Sequence, residues 1–179
     1  LTAEPFRNNR NLSFTNNILE LTWNYEYYII RPQPGHIYDI PGAKGLSSIK
    51  WDFYVFLGVG AFYHNPKAYG TPLRFMGTEG QGLPEFPGRK PYKKVAIAFP
   101  FGFGLKVALT DRFNIGFEAG LRKTTTDYLD DVSTTYVADD ILNERYGQVS
   151  AQLANRSGTP KETGAIRGNS EYKDWYAIG

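Results

Sequence analysis

Residues 95 to 124, VAIAFPFGFGLKVALTDRFNIGFEAGLRKT, alternate large apolar side chains with small or charged ones, turn, and alternate again. On the first arm Val95, Ile97, Phe99, Phe101, Phe103, Leu105, Val107 and Leu109 share one parity, and Ala96, Ala98, Pro100, Gly102, Gly104 and Lys106 share the other. On the second arm Phe113, Ile115, Phe117, Ala119 and Leu121 alternate with Asn114, Gly116, Glu118, Gly120 and Arg122. A period of two predicts strands, because successive side chains of a strand point to opposite faces. The same period sets Leu19, Leu21, Trp23, Tyr25, Tyr27 and Ile29 against Glu20, Thr22, Asn24 and Glu26. It also sets Trp51, Phe53, Val55, Leu57 and Val59 against Asp52, Tyr54, Gly58 and Gly60. The closing EYKDWYAIG begins a further strand. The chain reads as all-β.

Alternation alone leaves two barrels open, a soluble one with the apolar row inside and a transmembrane one with that row outside. Volume separates them. An eight-stranded barrel has room inside only for its own side chains, and Phe99, Phe101, Phe103, Phe113 and Phe117 would all have to enter it from one hairpin. The glycine-bearing row fits a narrow interior better. Length agrees, since a strand of roughly fifteen residues tilted by about 40° rises on the order of 38 Å, more than the apolar band of about 25 Å requires. Tyr25, Tyr27, Trp51, Tyr63, Tyr128 and Trp175 fall towards strand ends, as interfacial girdles do. The sequence thus predicts a transmembrane antiparallel up-and-down β-barrel, with Leu57, Val59, Ile97, Phe99, Phe101, Phe103, Leu105, Ile115 and Phe117 facing lipid.

Composition narrows the functional classes. The 179 residues suit a single domain over 1 to 179, and a formal charge of +2 leaves no electrostatic footprint for nucleic acid. With no cysteine there is no disulfide, thiol nucleophile or cysteine-held metal. No apolar run approaches the length of a membrane helix, and the opening LTAEPF has neither an initiator Met nor a leader, so a removed leader or an excerpt of a longer chain is expected.

Connections orient the barrel. The short turn Thr110, Asp111 and Arg112 is of the kind placed in the periplasm, so residues 64 to 92 and 125 to 171 are expected outside the cell. Residues 31 to 50 then face the periplasm, in a loop long for that side and stiffened by proline. Pro32, Pro34, His36, Tyr38, Pro41 and Lys44 of this loop are candidates for docking a periplasmic partner, against the plainer reading of a tolerated insertion.

Candidate chemistry is sparse. Glu20, Glu26, Lys106, Glu118 and Arg122 lie on the inner row, where opposite charges can pair and plug a narrow barrel; a gated polar pore is the alternative. Asp127, Asp130 and Asp131 cluster where a strand ends, but their spacing matches no calcium loop. Ile141, Leu142, Tyr146, Val149 and Leu153 have near-helical spacing, with Asp139 or Asp140 as a cap, predicting a short amphipathic helix. His36 and His64 fall in loops on opposite sides and cannot share a proton or a metal. No nucleophile elbow, zinc-protease helix or phosphate loop is present, so the expectation is a non-enzymatic protein without cofactor or metal.

The segments RNLSFTNNILEL, FLGVGAFYHNPKA, GTEGQGL, the run from Ala98 to Tyr136, and RGN followed by KDWY resemble the PorG family of Bacteroidetes outer-membrane β-barrels, associated with type IX secretion and gliding motility. The resemblance implies an eight-stranded barrel of which this chain supplies about the last five strands. It also implies partners, a periplasmic ring of PorK and PorN, or GldK and GldN in gliding bacteria, tied to the outer membrane by the barrel. A small porin or solute channel is the competing function.

Overall fold

The computed structural model describes residues 11–30, 50–110 and 113–179. The candidate docking loop, with Pro32, Pro34, His36, Tyr38, Pro41 and Lys44, lies outside the described residues, as do Asp111 and Arg112 of the turn.

The structure is mostly β, with antiparallel sheets. The strands are β1 (Thr15–Asn16), β2 (Leu19–Ile30), β3 (Lys50–Tyr63), β4 (Pro66–Ala68), β5 (Thr71–Pro72), β6 (Val95–Thr110), β7 (Phe113–Thr124) and β8 (Trp175–Ile178). Two helices, α1 (Asp139–Tyr146) and α2 (Gln148–Ala154), lie between β7 and β8. The four long alternating segments form β2, β3, β6 and β7 and, with β8, make a five-stranded sheet in the order β2-β3-β6-β7-β8. Among the described residues this sheet is open at β2 and β8. The ladder between β7 and β8 is antiparallel, with Leu121 opposite Ala177 and Lys123 opposite Trp175. Thr110, expected in the turn, is the last residue of β6.

The chain forms two compact units. Of the described residues, one comprises 11–20, 62–96 and 124–174; the other comprises 21–30, 50–61, 97–110, 113–123 and 175–179.

The second unit is the strand unit. Its apolar parity is on the surface: Leu57, Val59, Ile97, Phe99, Phe101, Phe103, Leu105, Ile115 and Phe117 are all exposed, with Phe117 at 57% and Leu57 at 64%. The opposite parity carries the buried Tyr54 and Phe56 at 3% and 4%. The large apolar side chains of this sheet thus lie mainly on its exposed face.

The first unit is built from the long connections. β1, β4 and β5 form a small sheet, with Thr15 opposite Lys67 and Ala68 opposite Thr71. Val137, Leu142, Ala151 and Ala154 make its principal apolar cluster, onto which Phe86, Ile141 and Tyr146 pack. Ala68, Leu73 and Leu153 make a second, with Met76 against it. The expected single amphipathic helix is two, because Gly147 takes φ 89°, a left-handed value that ends α1 after Tyr146. Asp139 and Asp140 lie in the first turn of α1 and do not cap it; the N-cap is Ala138. Val149, on the expected apolar face, is exposed at 54%.

Candidate functional site

On the parity of the strand unit opposite its exposed apolar row, charges and aromatic rings are placed together. Lys106 on β6 donates from Nζ to Glu26 Oε2 at 3.0 Å and to the Tyr28 hydroxyl at 2.8 Å. Tyr28 in turn donates to the same Glu26 oxygen at 2.6 Å, closing a triangle of charge-assisted bonds. The Lys106 ammonium stands 4.4 Å from the Tyr54 ring centre, and the Tyr54 hydroxyl donates to Glu118 Oε2 at 3.1 Å. Tyr28 and Tyr54 lie 5.2 Å apart, centre to centre.

Of the five charges expected on this row, Glu26, Lys106 and Glu118 are linked through the two tyrosines. Arg122 is buried with its guanidinium 5.9 Å above the Phe56 ring. Glu20, at the start of β2, lies in the first unit by its contacts. The tyrosines were not foreseen as connectors, although Tyr54 sits on the inner parity in the sequence.

Glycine makes this arrangement possible at one position in particular. A Cβ on Gly104 would lie 2.1 Å from Cζ of Tyr54, so the ring occupies the space a side chain would take. The FGFG run is therefore a cavity matched to an aromatic ring of the neighbouring strand.

The first unit holds a buried ionic core that composition did not announce. Glu79, fully buried, receives Arg167 Nη1 at 2.9 Å, the amides of Ser133 at 2.9 Å and Thr134 at 3.1 Å, and the Thr134 hydroxyl at 2.7 Å. Arg167 also reaches the Asp131 carbonyl at 2.6 Å. Asp131 accepts from the hydroxyls of Thr78 at 2.5 Å and Tyr92 at 2.9 Å. Arg89 ties the Glu79 carbonyl to Thr135 through both of its terminal nitrogens.

Three segments of the chain thus converge: GTEGQGL supplies Thr78 and Glu79, DDVSTT supplies Asp131, Ser133 and Thr134, and RGN supplies Arg167. A lone glutamate among glycines was the signal available in the sequence. The glycines serve the turn around it, with Gly80 at φ 75° and Gly82 at φ 91°.

Burial governs the titratable groups here. It raises Asp131 from its ordinary 3.8 to about 6, against the opposing pull of Arg167 and its two hydroxyl donors. It raises the Tyr128 phenol to about 12, aided by the Glu79 charge. It lowers His64, which is fully buried between Phe62 and Tyr92 and held at Nε2 by the Lys93 carbonyl at 3.0 Å. Tyr128 is not part of an outer girdle: it stacks on Tyr92 at 4.7 Å in this core, whereas Tyr25, Tyr27, Trp51, Tyr63 and Trp175 are exposed.

No group of three or more histidine, cysteine, aspartate or glutamate side chains suited to a metal is found among the described residues. Asp127, Asp130 and Asp131 do not converge on a common point: Asp131 turns inward to Thr78 and Tyr92, and Asp130 accepts the Val132 amide at 3.0 Å. No helix among the described residues is long and apolar enough to cross a membrane, which leaves crossing by strands untouched. No protein-family model, curated protein or solved structure matches the chain.

Proposed function

We propose that the chain is the lipid-embedded part of an outer-membrane β-barrel that anchors a secretion assembly without catalysing a reaction. The observation that carries the membrane part is the exposed apolar parity of β2, β3, β6 and β7, opposite a parity bearing Glu26, Lys106 and Glu118. In water that face would be a large uncovered apolar surface; in a bilayer it is the surface a β-barrel presents to hydrocarbon. Lys106 spends its charge on Glu26 and Tyr28 and packs on Tyr54, an arrangement that favours a filled interior over an open pore.

The assembly part rests on the sequence motifs resembling the PorG family. On this reading the barrel belongs to the type IX secretion and gliding machinery and holds a ring of PorK and PorN, or GldK and GldN, at the periplasmic surface. Pro32, Pro34, His36, Tyr38, Pro41 and Lys44 are the candidate contacts. The test is affinity purification of the full-length protein from gently solubilised outer membranes, with co-purifying proteins identified by mass spectrometry. A periplasmic ring in fixed ratio, lost when residues 33 to 45 are deleted from a still-folded barrel, is the expected result. A solitary barrel that conducts ions in a planar bilayer would replace the anchor with a channel.

A further inference from the structure

The exposed apolar face of the strand unit is uneven. On β7 and β8 the outward parity carries Ala119 and Ala177, small residues beside Phe101, Phe103, Phe53 and Leu121. Together these six line much of a groove of about 710 Å³, and every residue along it is apolar. That volume falls within the range of roughly 300–1,000 Å³ typical of ligand sites. An acyl chain lying in such a recess touches carbon on more sides than one lying on a flat face, and so gains more dispersion contacts.

One end of the groove has a headgroup chemistry of its own. Leu121 pairs with Ala177, and the next pair of the same parity along that ladder is Lys123 with Trp175. The Lys123 ammonium lies 4.4 Å above the Trp175 ring. Trp175 meets Phe101, a wall of the groove, edge to face at 5.8 Å. A cation seated on an indole therefore adjoins a carbon-lined recess through one aromatic contact. Lysine over an amphipathic aromatic is a combination suited to the boundary between acyl chains and headgroups.

We propose that this groove is a specific lipid site, in which an acyl chain of a phosphate-bearing anionic lipid fills the recess over Ala119 and Ala177 and its phosphate meets Lys123. The site rests on the membrane reading given above. Lysine acts there as a point charge for phosphate, so it sets the preference between headgroups, while the recess sets retention.

The test uses the full-length protein refolded in lipid, with heat-modifiable gel migration and circular dichroism recorded first. After detergent exchange the protein is offered phosphatidylglycerol or phosphatidylcholine, and retained lipid is counted by native mass spectrometry. The wild type is expected to keep one phosphatidylglycerol and to prefer it to phosphatidylcholine. Ala119→Phe, which fills the recess, should lower retention of both lipids at least tenfold, with Ala177→Phe as a second filling variant should the first fold poorly. Lys123→Gln should retain lipid but lose the preference. A folded wild type that holds phosphatidylglycerol no better than the filled variants, or a Lys123→Gln protein with its preference intact, overturns the site. A wild type that fails to fold in lipid at all overturns the membrane reading beneath it, and the first measurement shows that separately.

Discussion

Glu79 and Arg167, 88 positions apart in the chain, meet as an ion pair at 2.9 Å with 0% and 2% of their side chains exposed. Neither charge can be solvated where it lies, so each depends on its neighbours. Glu79→Gln leaves Arg167 without its countercharge and should destabilise the first unit by about 3–5 kcal/mol, the usual consequence of breaking a buried pair from one side. Adding Arg167→Met to that variant should cost less than the sum of the two single changes. Limited proteolysis between residues 124 and 174, read against denaturant, measures this; equal cleavage of Glu79→Gln and wild type would show that the pair contributes nothing.

Phe101 and Phe117 are exposed on the outward parity, at 41% and 57%. Arginine at Phe117 should impair insertion, since a cationic side chain at the bilayer midplane costs about 2–4 kcal/mol, and at Phe101, whose ring meets Trp175, it should impair insertion less. The same change at Asn114, on the other parity of β7, should be milder. Folding yields in vesicles compare the three, and equal yields would mean that the apolar row does not face lipid.

Gly104 is occupied in effect by the Tyr54 ring. Gly104→Ala should displace that ring, break its bond to Glu118 and destabilise the sheet by about 1–3 kcal/mol, as overpacking does. Tyr54→Phe, which keeps the ring and removes the hydroxyl, should cost only about 0.5–1.5 kcal/mol. Tyr54→Leu in the Gly104→Ala background should recover part of the loss. Denaturant midpoints of the refolded proteins decide it, and a Gly104→Ala protein as stable as wild type would contradict the observed packing.

Asp131 and His64 give the first unit opposing responses to pH. With its carboxyl raised to about 6, folded Asp131 binds more proton than the unfolded chain between about 3.8 and 6, so its contribution falls as pH rises through that window. His64, lowered by burial, binds less proton when folded than when unfolded, so its contribution rises with pH up to about 6.5. Asp131→Asn removes the first response and should leave a steeper gain of stability from pH 4.5 to 6.5. Thermal unfolding across that range is the measurement, and parallel curves for variant and wild type would refute the assignment.

The strands were legible because a half-buried sheet writes its faces at a period of two, and no other local rule competes with that signal in residues 95 to 110. The charged pair Glu26 and Lys106 was legible for the same reason, since parity alone placed both on the inner row. What parity could not tell was partner choice: Tyr28 and Tyr54 join the charges through cross-strand geometry that depends on register. The first unit was least legible. Its organising contacts link residues such as Thr78 with Asp131 and Glu79 with Arg167, which no local pattern relates, and Gly147 divided a helix whose apolar spacing ran through it. Tyr128 was misread because its position near a strand end matched an interfacial residue, whereas its ring stacks on Tyr92.

The first unit is assembled from pieces of chain separated by the long strands, and this has a kinetic consequence. Closing the Glu79 contact with Arg167 spans 88 positions, while β6 and β7 are joined by two residues. Loop-closure entropy and contact order favour the hairpin and disfavour the ionic core at early times. The core is then expected to form late in folding. Weakening Glu79 or Arg167 should then accelerate unfolding and leave refolding at nearly its original rate, so that the pair governs the lifetime of the native state more than its formation.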